Sequence, residues 1–141
     1  MPIETEARVT DVKPIFYIED TSDDANLLLR AAEHQQFPNP IIILSSAELA
    51  RSQIERAISM GKLPCTIMVD LSLPKESGVS LIRWMRSLDA LRLIPIIAIS
   101  GKYAFESIDQ VYKAGANLFL IKPSKSDEWG GIIDRLKRFC S

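Results

Sequence analysis

Little in this sequence points to cross-linking, membranes or nucleotide loops. Two cysteines, Cys65 and Cys140, stand far apart with no CxxC pair. Such sparse usage favours reduced, inert thiols in a cytosolic protein over a disulfide framework. The single histidine, His34, has no partner ligands beside it and reads as a surface residue. Seventeen basic residues balance eighteen acidic ones, so no bulk field draws the chain to nucleic acid or to a membrane surface. No apolar run approaches the roughly 20 residues of a membrane span, and residues 1–13 lack the apolar core of a signal peptide. There is no GxGxxG, no P-loop, no repeat and no low-complexity tract.

What is there is alternation. A polar lead-in, residues 1–13, ends at Pro14, and 14–141 read as one domain. Five short apolar runs follow: Ile15–Ile18, Ile41–Leu44, Ile67–Asp70, Pro95–Ile99 and Asn117–Ile121. Their continuous apolar character predicts strands buried on both faces. Helical spacing separates them. Ala25, Leu28, Leu29 and Ala32 mark a helix that starts with capping chemistry at Thr21-Ser22-Asp23-Asp24 and runs to about Gln36. Asp23 and Asp24 read as capping or partner-facing residues rather than metal ligands. Ala47 to Ile58 form a second helix closed by Gly61, and Leu81 to Leu88 a third. Ile108, Val111 and Tyr112 form a fourth, closed by Gly115; Trp129, Ile132, Ile133, Leu136 and Cys140 give a final stripe. Strand–helix alternation predicts a doubly wound α/β fold, a five-stranded parallel sheet of (βα)5 type in the order 2-1-3-4-5.

In such a sheet, ligands bind beyond the carboxyl ends of the strands. The first strand ends in Glu19-Asp20, the third in Asp70, the fourth in Ser100 and the fifth in Lys122. Neighbouring carboxylates about 4 Å apart repel by about 4 kcal/mol at an effective dielectric near 20, so three in one crevice call for a cation. All-oxygen ligation suits magnesium. Lys122 and Ser100 complete a cradle for a phosphoryl group, and Asp70 becomes a candidate nucleophile.

These residues resemble the receiver domain of bacterial response regulators. The resemblance covers residues 14–139 and rests on Glu19-Asp20, on Asp70 with Pro74 and Gly78, on Ser100 thirty residues after Asp70, and on Lys122-Pro123 twenty-two after Ser100. It implies a CheY-like fold and an Asp70 that takes a phosphoryl group from the phosphohistidine of a sensor histidine kinase. It further implies magnesium on Glu19, Asp20, Asp70 and the backbone carbonyl of Ser72, with Lys122 on the phosphoryl group. Ser100 and Phe119 would form a conformational switch, Lys102 and Ser72 would tune dephosphorylation, and Lys122-Pro123 would be a cis bond. The Pro38-Asn39-Pro40 loop and the lack of an output region resemble the small stand-alone regulators of phytochrome-type and hybrid kinases. A cytoplasmic phosphoprotein is implied, catalysing at most its own phosphorylation and dephosphorylation. It would act on a downstream protein, with Tyr103, Phe105, Tyr112 and Phe119 as a partner or dimer surface on the fourth helix, fifth strand and fifth helix.

Three rivals are weighed against this reading. An aspartate-nucleophile phosphatase of the haloacid dehalogenase type wants a second aspartate where Ser72 stands. A flavodoxin-like cofactor binder wants a phosphate loop where Glu19-Asp20 would repel phosphate. A phosphorylation-independent interaction module is the alternative that the acidic residues and the lysine disfavour.

Overall fold

The computed structural model describes residues 12–101 and 105–140, with the backbone alone for 105–107. The chain runs β1 (Ile15–Ile18), α1 (Ser22–His34), β2 (Ile41–Leu44), α2 (Ala47–Met60), β3 (Thr66–Asp70), α3 (Gly78–Arg86), β4 (Ile96–Ser100), α4 (Phe105–Ala114), β5 (Leu118–Ile121) and α5 (Gly130–Lys137). Short 3-10 turns at Asp89–Leu91 and Ser126–Trp129 follow α3 and precede α5. The strands form one parallel sheet in the order β2-β1-β3-β4-β5, as expected.

The two faces of the sheet sort by the strand period of two. Phe16, Ile18, Ile67, Val69, Ile96 and Ala98 pack against α2, α3 and α4 through Ile54, Leu81, Ile82, Met85 and Val111. Ile15, Tyr17, Met68, Ile97 and Ile99 pack against α1, the 3-10 turn before α5 and α5 itself through Leu28, Trp129, Ile132, Ile133 and Leu136. The edges depart from the sequence expectation of uniformly buried strands. Ile42 of β2 and Ile121 of β5 are 42% and 48% exposed, because each edge strand has only one neighbour and incomplete helix cover.

Side-chain caps start two of the helices. Ser46 accepts the Leu49 N–H at 3.0 Å, and Ser77 accepts the Ser80 N–H at 3.1 Å. At α1 the expected cap is absent: Thr21 sits at the cap position, but its hydroxyl donates to Glu19 instead. The helix stops at His34, with Gln36 in the left-handed region at φ 53°. His34 is exposed. After α4, Gly115 has φ 117°, and a Cβ there would lie 2.3 Å from Arg86 Cγ, so only glycine fits. Arg86 uses that space to donate to the carbonyls of Gly115 and Leu91 and to Asn117 Oδ1.

Two expectations are corrected. Cys65 and Cys140 are not free thiols but a disulfide, spanning 75 residues with Cα atoms 5.6 Å apart. Parallel topology brings the amino end of β3 beside the chain that leaves α5, a proximity that a separation in sequence hides. The Lys122–Pro123 bond is not cis; no cis peptide occurs among the described residues. The backbone therefore aims Lys122 into the crevice in the ordinary trans form. Lys102 and Tyr103, and the side chain of Phe105, lie outside the described residues.

Candidate functional site

Asp70 closes β3 and is 1% exposed, as is Glu19 directly after β1. Register explains their meeting: β1 and β3 are paired neighbours, with Ile18 opposite Val69, so the residue after each emerges at the same edge. Glu19, Asp20 and Asp70 bring one carboxylate oxygen each within 4.8 Å of one another, with Asp20 on the exposed side. Lys122 enters from β5. Its backbone N–H donates to the Ser100 carbonyl at 2.8 Å, which ties the ends of β4 and β5 together. Its ammonium donates to Asp24 Oδ2 at 2.7 Å, Glu19 Oε1 at 2.8 Å and Asp70 Oδ2 at 3.2 Å. Asp70 Oδ1 accepts the Ser72 N–H at 2.9 Å. Ser100 is buried beside them at the end of β4.

Glu19 is the most heavily bonded group. Tyr17 donates its hydroxyl to Oε1 at 2.8 Å, and Thr21 donates its hydroxyl to Oε2 at 2.8 Å. Burial pulls Glu19 upward, but donated hydrogen bonds from Asp70, Lys122, Tyr17 and Thr21 outweigh it and hold the carboxyl at about 2. Asp70 moves the other way, to about 6, through burial first and then its contact with Glu19. Burial and the adjacent Glu19 carboxylate raise Tyr17. Burial works against the Lys122 ammonium, yet Asp24 and Glu19 more than offset it and raise its pKa. With one ammonium against four carboxylates, the cluster keeps a negative excess of hard oxygen donors. Such a set fits magnesium or a similar oxygen-seeking cation.

The loop from β3 to α3 is shaped from two sides. A Cβ on Gly78 would lie 2.7 Å from Leu71 Cα and 2.8 Å from the Asp70 carbonyl oxygen, so α3 can start this close to Asp70 only with glycine. Pro74 lies in this loop opposite the start of α2. Arg51 of α2 pairs with Glu76 and lies 4.7 Å from the centroid of the Trp84 ring. Phe119 is set apart from the acidic cluster. It pairs with Ala98, two residues short of the level of Ser100, is half-buried against the α2–α4 side, and donates its N–H to the exposed Tyr112 hydroxyl. Pro123 follows Lys122 and is half-buried.

Sequence reasoning missed Asp24, Tyr17 and Thr21. Asp24 had a usable signal in its place, since the first turn of α1 starts at the same carboxyl edge where Glu19 and Asp20 leave β1. Tyr17 lies two residues before Glu19, which puts both side chains on the same face of an extended chain.

The sheet order and the helices on both faces define the CheY-like class of doubly wound proteins. The family model for the response regulator receiver domain matches residues 16–134, and the chain belongs to that family. It is similar to the probable methanogenesis regulatory protein FilR2 of Methanothrix harundinacea, at 25% identity over 89% of this chain and 81% of that one. It is also similar to the response regulator Rcp1 of Synechocystis sp., at 24% identity over 90% and 88%. Among solved structures, the phosphorylated cyanobacterial phytochrome response regulator RcpA superposes with a TM-score of 0.80 at 22% identity, over 91% of this chain and 93% of that one. The chain is thus a response regulator of two-component signalling.

Proposed function

We propose that Asp70 is the phosphoacceptor of this receiver and that residues 14–141 are the unit that carries it. The observation that carries the reading is the placement of Asp70. It is buried at a strand end, with Oδ1 held by the Ser72 N–H and Oδ2 directed at the Lys122 ammonium. In the reaction, a carboxylate oxygen of Asp70 bonds to phosphorus as the bond from phosphorus to the kinase histidine breaks. The electron pair returns to the imidazole, and an acyl phosphate remains. Lys122 stabilises charge on the phosphoryl oxygens, and Ser100 donates a hydrogen bond to one of them. Glu19, Asp20, Asp70 and the Ser72 carbonyl would hold magnesium, which supplies charge neutralisation at the phosphoryl oxygens when bound.

The response then passes from Ser100 to Phe119 and to the α4-β5-α5 face, where Tyr112 is exposed. That face would meet a downstream protein or a second copy of the chain. The donor would be a sensor histidine kinase; the likeness to the cyanobacterial phytochrome response regulator RcpA supports a phytochrome-type one. No helix among the described residues is long and apolar enough to cross a membrane, and we place the protein in the cytoplasm, where its phosphodonor is made. In that compartment the Cys65–Cys140 pair would meet a reducing thiol pool.

The test is incubation with magnesium and acetyl phosphate, read by intact mass. A single phosphate adduct is expected on the native chain and none on Asp70→Asn. An adduct that persists in Asp70→Asn would sink the assignment, and a native chain that never gains phosphate would favour the phosphorylation-independent module. Any activity of the domain on its own phosphate appears in the same assay as decay of the adduct after the donor is removed.

A further inference from the structure

Of the three carboxylates that hold Lys122, two belong to the cluster that fits a cation. Glu19 and Asp70 do; Asp24 does not. Asp24 nonetheless makes the shortest contact, 2.7 Å, from a side chain that is 30% exposed, while Lys122 itself is only 11% exposed. Both ends of this pair are anchored. Asp24 is set by the first turn of α1, where the Ala25 N–H donates to the Thr21 carbonyl and Ala25 and Leu28 are buried. Lys122 is set by its N–H on the Ser100 carbonyl. Only the flexible stem of the lysine is free to redirect the ammonium.

A cation that takes oxygens of Glu19 and Asp70 leaves Asp24 as the partner of Lys122. A phosphoryl group on Asp70 then competes for the same ammonium. We propose that Asp24 is a positioning residue: it berths Lys122 on the α1 side of the crevice, and Lys122 must leave it to engage a phosphoryl group. The proposal rests on Asp70 as phosphoacceptor. It assigns to Asp24 control of how readily the phosphorylated state forms.

Beryllofluoride, an analogue of the phosphoryl group, tests this at saturating magnesium by calorimetric titration. Asp24→Asn is expected to bind it about five- to tenfold more tightly than the native chain, since a partly buried ion pair no longer holds the lysine. Asp23→Asn, which removes an exposed charge one residue away, is expected to stay within about twofold. In a Lys122→Ala background, Asp24→Asn should change nothing. Equal or weaker binding by Asp24→Asn overturns the proposal. The same gain in the Lys122→Ala background also overturns it, because the effect would then be charge acting through space. A second readout keeps Lys122 in place. The 15N resonance of its ammonium should shift when beryllofluoride is added to the native chain, and Asp24→Asn alone should move it part of the way. An unmoved resonance in Asp24→Asn counts against the berth. A native chain that binds no beryllofluoride and takes no phosphate from acetyl phosphate removes the parent reading, and this one with it.

Discussion

At the carboxyl ends of β1, β3, β4 and β5 the chain places Glu19, Asp70, Ser100 and Lys122. At the amino ends it places Pro14, Pro40, Pro95 and the Cys65–Cys140 bond. Each proline precedes its strand, where a missing N–H costs nothing, and its carbonyl extends the ladder by accepting from Ile15, Cys65 or Ile67. The amino edge is thus closed by rigid residues and a covalent bond, around a groove of about 810 Å³ lined in part by Leu93, Ile94 and Phe139. The carboxyl edge is closed by ionisable groups whose partners can be exchanged. One edge resists change, and the other is assembled from contacts that a cation or a phosphoryl group can rearrange.

The largest expected break in this contrast is chemical. Asp70→Asn should abolish the acetyl phosphate adduct, a loss of at least about a hundredfold in the fraction phosphorylated, while the fold stays intact by circular dichroism. The amino edge should behave the opposite way. Reducing Cys65–Cys140, or replacing Cys140 by serine, removes a cross-link that closes a 75-residue loop. Urea unfolding should then report a loss of about 2–4 kcal/mol. The rate of phosphorylation from acetyl phosphate should stay within about twofold; a larger change would show that the two edges communicate.

Next in size is the pH dependence of metal-free protein. Asp70 is raised from 3.8 to about 6, so its contribution favours folding fully below about 4 and is lost as pH rises through 6. Asp70→Asn should therefore stabilise the metal-free chain by about 2–3 kcal/mol at pH 7.5 and by little at pH 4. Glu19 carries the reverse sign: held at about 2, it contributes above 4.5 and loses that contribution as pH falls toward 2. Thermal melts across pH 2–8 without magnesium check both directions. A native chain most stable at pH 8 would contradict the Asp70 part.

Smaller effects probe the frame around the crevice. Gly78→Ala drives a methyl group into the backbone of Asp70 and Leu71 and should cost about 1–3 kcal/mol, together with weaker magnesium binding in fluorescence titration. Arg51→Ala releases the Glu76 pair and the Trp84 ring and should cost about 0.5–1.5 kcal/mol in urea unfolding, with the adduct still forming.

How much of this could be read in advance differs between local and non-local features. Asp70, Glu19, Ser100 and Lys122 were legible because each ends an apolar run, and alternation of strands and helices tells which ends share an edge. Gly61 was legible for a local reason as well, standing just past a stripe at helical spacing, whereas the Ser46 cap was not read in advance. Thr21 was misread as a helix cap, because nothing local says that Glu19 will be buried beside it and compete for its hydroxyl. Asp24 was read as a helix-start residue, since its partner lies 98 residues later. Exposure of Ile42 and Ile121 depends on which strands are outermost, a property of the order and not of the run itself.

By itself, the sequence determined where strands begin and end, that apolar residues cover both faces of the sheet, and which chemistry stands at each strand end. Those are consequences of hydrophobic period, proline position and residue type, all of which act within a few residues. Tertiary structure alone decided that Lys122 has three carboxylate partners, that Glu19 and Asp70 are pushed in opposite directions, and that Cys65 meets Cys140. Each of these depends on distances of a few ångströms between segments far apart in the chain. At that range charge interactions fall off with distance, desolvation depends on what covers a group, and a disulfide needs its two Cα atoms within about 7 Å.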